Sequence, residues 1–133
     1  MSERIDFRRV LFEAVDPETQ LVDPKILRQN LSELQESLDY NGRNDSRLQL
    51  GSLRTALTHI EQFGDDSIFQ VGFSREIVRT LLHNEVETVS QLRDIMDKPN
   101  GVNGLRRVAD KKSAEIYKDY NEFVERRQGA VNL

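Results

Sequence analysis

Val108-Ala109-Asp110-Lys111-Lys112-Ser113-Ala114-Glu115-Ile116 is the stretch on which the reading of the fold turns. It is a tight connection into a helix whose opening turn carries two lysines and a hydroxyl. The first N–H groups of an α-helix have no intrahelical partner, and that end carries a partial positive charge. Lys111, Lys112 and Ser113 placed there make an expected phosphate grip. Arg106 and Arg107, just upstream, complete the densest basic cluster of the chain. Phe73-Ser74-Arg75 reads as an earlier helix start with Ser74 as N-cap.

Working outward, Ile77, Val78, Leu81 and Leu82 form the buried face of that earlier helix, which ends near Asn84. A second start follows at Thr88. Its helix buries Val89, Leu92, Ile95 and Met96 and must stop before Pro99. Asn100 to Gly104 reads as a flexible loop and Leu105 to Val108 as a short helical turn. The last helix starts near Asp110 and buries Ile116, Tyr120, Phe123 and Val124. Residues 129–133 are expected to be a frayed tail.

Three motifs in this half occur together: Phe73-Ser74-Arg75, then Val86-Glu87-Thr88-Val89-Ser90-Gln91-Leu92, then Asp110-Lys111-Lys112-Ser113 with Glu115-Ile116. Over residues 69–124 this layout resembles the C-terminal domain of the bacterial RNA polymerase alpha subunit. The resemblance implies a helix-hairpin-helix-like domain that binds DNA or regulators; the four capped segments with helical apolar spacing and the terminating Pro99 predict a bundle of four or five short helices without a sheet. Two positions depart from the family. Glu76 stands where the family has a groove-contacting arginine, and Asp110 replaces the loop glycine.

The first half reads as an acidic helical hairpin. Asp23-Pro24 is a helix start, with Asp as cap and Pro at the first helical position. Leu27, Leu31, Leu34 and Leu38 follow as a heptad-like seam. Tyr40 to Asp45 is turn chemistry around Gly42. A second helix runs from about Ser46 to Phe63 with Leu50, Leu53, Leu57 and Ile60 on one face, and Gly64 ends it. The narrow stripes need a further partner: residues 4–15, the second half, or another copy. Residues 4–15 fit a helical face through Phe7, Val10, Leu11 and Ala14, or a strand through Val10, Phe12 and Ala14. We read them as helix, broken at Asp16-Pro17-Glu18-Thr19.

Composition bounds the function. The 133 residues hold 37% hydrophobic and 32% charged residues and no cysteine. Disulfides, thiolate metal sites and cysteine nucleophiles are therefore excluded. No apolar run is long enough for a membrane span, and residues 1–6 lack the apolar core of a signal peptide, so a cytoplasmic protein is expected. Residues 1–66 carry 8 Lys/Arg against 13 Asp/Glu, a balance of −5; residues 67–133 carry 11 against 10, a balance of +1. A strongly basic nucleic-acid binder is excluded, and a local basic patch on the second half is not.

No recognised ligand set surrounds His59 or His83, and the pairs Asp65-Asp66 and Asp94/Asp97 lack an accompanying nucleophile or base. The seven glycines form no phosphate-loop or dinucleotide fingerprint. An enzyme is not expected, nor a cofactor, a metal or a small-molecule substrate. Arg75 and Arg79 lie one turn apart and extend the basic patch; Glu76 pairing with Arg79 is the competing reading. The expectation is an all-α protein with a hairpin at 1–66 and a helix-hairpin-helix-like domain at 67–128. Its partner is duplex DNA or an acidic protein surface, met through Arg75, Arg79, Arg106, Arg107, Lys111, Lys112 and Ser113. The alternative is a protein–protein adaptor without DNA binding. A homodimer through Leu27, Leu31, Leu34 and Leu38 is also expected.

Overall fold

A computed structural model describes residues 5–41 and 44–131, with side chains described for 5–37 and 47–130. Six α-helices dominate these residues: α1 (Phe7–Glu13), α2 (Pro24–Asn41), α3 (Asn44–Phe63), α4 (Arg75–His83), α5 (Val89–Met96) and α6 (Asp110–Val131). Among the described residues the fold is all-α apart from one two-stranded ribbon.

Local chemistry accounts for the helix starts. The Asp6 carboxylate accepts the Arg8 and Arg9 N–H groups at the head of α1. Asp23 accepts from Lys25 N at 2.9 Å ahead of α2, with Pro24 supplying a preset φ. Ser74 caps α4, and Thr88 caps α5 in a capping box with Gln91. In the segment read as helix or strand, Phe7–Glu13 is helix, and Phe7, Val10, Leu11 and Ala14 are all buried together.

Three expectations need correction. Asp16 to Thr19 is not a plain break. It is the turn of a ribbon pairing β1 (Val15–Asp16) with β2 (Leu21–Val22), and Gln20 takes the left-handed backbone conformation that closes it. The helical turn expected at Leu105–Val108 lies instead at Gly101–Gly104, where a flexible loop was expected. Val102 is fully buried and anchors it there. The last helix continues through Val131, past the expected tail start at 129. An isolated antiparallel bridge joins Ser67 to Thr88, one residue on each side and no strand.

The partner that the hairpin stripes require is α1, which packs against both α2 and α3. Leu27 and Leu31 are buried within the chain, at 0% and 5% exposure, and Leu34 packs against the same core. The chain's own core thus covers Leu27 and Leu31 of the seam at which a homodimer is expected, and part of Leu34. The Leu38 side chain and the Gly42 turn lie outside the described residues. Leu53, Ile60, Phe73, Leu81, Leu92 and Ile116 belong to one continuous apolar core that crosses residues 64–67.

Candidate functional site

The basic residues singled out in the sequence are brought together by α4. One face of this helix buries Ile77, Val78 and Leu81. Arg75, Glu76, Arg79 and His83 on the same helix line an open concavity of about 670 Å³. Arg106, Arg107 and Lys112 line it from the turn before α6 and from the first turn of α6. Five cations thus meet a single carboxylate, Glu76.

Asn84 fixes the far wall. Its amide nitrogen donates to Thr80 O at 2.8 Å and to Arg106 O at 3.1 Å, and its Oδ1 accepts Arg106 N–H at 2.9 Å. The turn carrying the two arginines is therefore clamped to the end of α4. Arg107 sits at φ +63°. A non-glycine residue there is strained by about 1 kcal/mol or more, and a surrounding clamp is what sustains such strain.

Each cation has a distinct setting. Arg75 Nε donates to Ser52 Oγ on α3 at 2.6 Å. Lys112 Nζ lies 3.3 Å from Thr80 Oγ1 and 3.4 Å from Glu76 Oε1. Among the described residues, no hydrogen bond or ion pair engages the guanidinium groups of Arg79, Arg106 and Arg107.

Two expected site residues lie elsewhere. Lys111 is exposed and does not line the concavity. Ser113 is buried, and its N–H is bonded to Ala109 O at 2.9 Å, so it has no free N–H for a phosphate. Ala109 holds the capping position, and Asp110 is the first helical residue. Glu76 pairs with Lys112 across the groove rather than with Arg79 along the helix. Asn84 and Thr80 escaped the sequence reading. The only signal for Asn84 was its place just past a helix end, common to many asparagines.

His59 lies apart from this site. It is buried, shares a 2.7 Å hydrogen bond with Ser67 Oγ, and packs between the rings of Phe63 and Phe69. Burial lowers its pKa, opposed in part by the Glu87 carboxylate. Ser67 is fully buried, so the pair offers substrate no access. Among the described residues no cluster of His, Asp or Glu is arranged to hold a metal ion, and no helix is long and apolar enough to cross a membrane.

Comparison of the chain with protein-family models, with curated proteins and with solved structures found no match.

Proposed function

We propose that this chain is a non-enzymatic binding protein that grips the phosphate backbone of duplex DNA in the concavity between α4 and the start of α6. One observation carries the reading. Cations from three separate segments line one hollow, and three of the guanidinium groups have no partner among the described residues. Bringing like charges together costs free energy that an anionic partner recovers. Phosphate contacts of this kind position a protein on nucleic acid without reading bases. The resemblance to the polymerase alpha C-terminal domain suggests transcription as the setting.

A salt-dependent titration with duplex DNA tests this. The expected Kd at physiological salt is about 10⁻⁶ to 10⁻⁴ M, the range of non-specific binding. Arg107→Ala should weaken binding about equally for all sequences and reduce the salt slope by about one. A Kd weaker than about 10⁻⁴ M rejects the proposal. The second reading is an adaptor for an acidic protein surface. It is favoured by the Glu76–Lys112 pair, which already blunts the groove, and by the net charge of −4. It predicts saturable binding of an acidic polypeptide such as polyglutamate, with no binding of DNA.

A further inference from the structure

Glu76 is the one carboxylate among the residues lining the hollow, beside five Arg and Lys side chains and the uncharged groups of Thr80 and Asn84. Its Oε1 lies 3.4 Å from Lys112 Nζ. Lys112 is held from the protein side as well. Its ammonium donates to Thr80 Oγ1 at 3.3 Å, and the Thr80 hydroxyl donates in turn to Glu76 O at 3.1 Å. The Thr80 oxygen is thereby fixed as an acceptor, and Lys112 is fixed against it. The side chains differ sharply in exposure, 77% for Glu76 and 28% for Lys112. The carboxylate can rotate into solvent without unpacking anything, whereas the ammonium stays in place.

A phosphate oxygen offers Lys112 the same kind of charged acceptor as the Glu76 carboxylate. We propose that Glu76 is a built-in competitor for the ligand: at rest its carboxylate occupies a phosphate subsite on Lys112, and a bound polyanion displaces it. This inference rests on the polyanion reading above. It makes Glu76 a residue that sets selectivity. A ligand gains the Lys112 contact only by outcompeting a tethered carboxylate, so densely charged polyanions are favoured over isolated carboxylates. The bland account is that Glu76 is an acidic residue in the first turn of α4, favourable to the helix dipole and loosely paired. The two accounts differ in whether Glu76 and Lys112 are coupled in binding.

A double-mutant cycle on the full chain separates them, with a short mixed-sequence DNA duplex as probe at low salt. Glu76→Gln removes the charge and keeps the shape. It should tighten binding about fivefold, the factor matching the upper worth of an exposed ion pair. Lys112→Met should cost less than about twofold in the natural chain and about fivefold in the Glu76→Gln background, where the lysine is released. Binding that is unchanged or weaker in Glu76→Gln overturns the inference. So does a Lys112→Met cost that is the same in both backgrounds. If no chain of the cycle binds duplex, the polyanion reading itself falls and the competitor falls with it. Thermal melting followed by circular dichroism confirms that all four proteins fold, with Glu76→Ala as a substitute should Glu76→Gln not.

Discussion

At the scale of single residues, buried polar groups set how this protein responds to its surroundings. His59 combines a hydrogen bond to Ser67 with a second ring nitrogen, Nε2, that is buried without a partner among the described residues. Charging the ring inside this apolar setting is unfavourable, so burial depresses the His59 pKa below its ordinary value. The folded form then binds fewer protons than the unfolded chain below about pH 6.5. The stability associated with neutral His59 is therefore present above that pH and is lost as pH falls through the folded-state pKa. Melting temperature should drop as pH falls from about 7 to 5, and His59→Gln should flatten that part of the curve. Equal slopes for the two proteins in that window would remove His59 as the cause. The sequence showed His59 only as a histidine on a helix face. Its burial depends on Phe69, which lies beyond the Gly64 turn, so no local pattern revealed it. The cations of the candidate site were easier to see. Arg75, Arg79, Arg106, Arg107 and Lys112 stand out by type and spacing, and all five line the hollow. Ser113 misled because a hydroxyl near a helix start is polar by type, and only packing decides whether it faces solvent.

Elements were legible where capping and apolar period agreed. Ser74 with Ile77, Val78 and Leu81 marks α4, and Thr88 with Val89 and Leu92 marks α5. Irregular pieces were less legible because one residue anchored in the core decides them. Val102 pulls Gly101–Gly104 into a tight helical turn, although the glycines and asparagines around it read as loop. The ribbon at 15–22 is two residues per strand, too short for any alternation to show. The α5 cap is the element whose contribution is easiest to measure. Thr88 Oγ1 accepts Gln91 N–H at 3.1 Å, and Gln91 Oε1 accepts the Thr88 and Glu87 N–H groups at 3.1 and 2.7 Å. Thr88→Ala should cost about 0.5–2 kcal/mol in urea unfolding. A cost near zero would mean that the Ser67 bridge and the Ile68 N–H bond to Glu87 O hold this corner without the cap.

On the scale of the whole molecule, the two halves are laced together by side chains that look unremarkable in sequence. Arg8 on α1 donates to Gly72 O at 2.9 Å and approaches Asp119 on α6 at 3.6 Å. Arg126 on α6 donates to Val71 O at 3.2 Å, and Arg127 donates to Thr19 O. Phe12 lies near both the Arg8 and Arg126 guanidinium groups, 5.7 and 5.4 Å from its ring centre. Gln70 accepts the Val22 N–H at 2.7 Å in a buried setting, and the rings of Phe7 and Phe69 meet edge to face. Helical periodicity reports which face of a helix is apolar and says nothing about which distant segment covers it. That is why α1 could be read as one of three partners for the hairpin and no better. If these ties and the shared core govern folding, the chain should unfold in urea as one cooperative unit. Helicity by circular dichroism and amide exchange in α3 and α4 should then report a single midpoint, the mark of two-state behaviour. Residues 67–131 expressed alone should lose helicity, because Phe69 would lose the Phe7 and His59 rings it packs against and the shared core would be cut in two. Two separated midpoints, or a fully helical 67–131 fragment, would show that 1–66 and 67–128 fold independently and that the lacing only docks two finished parts.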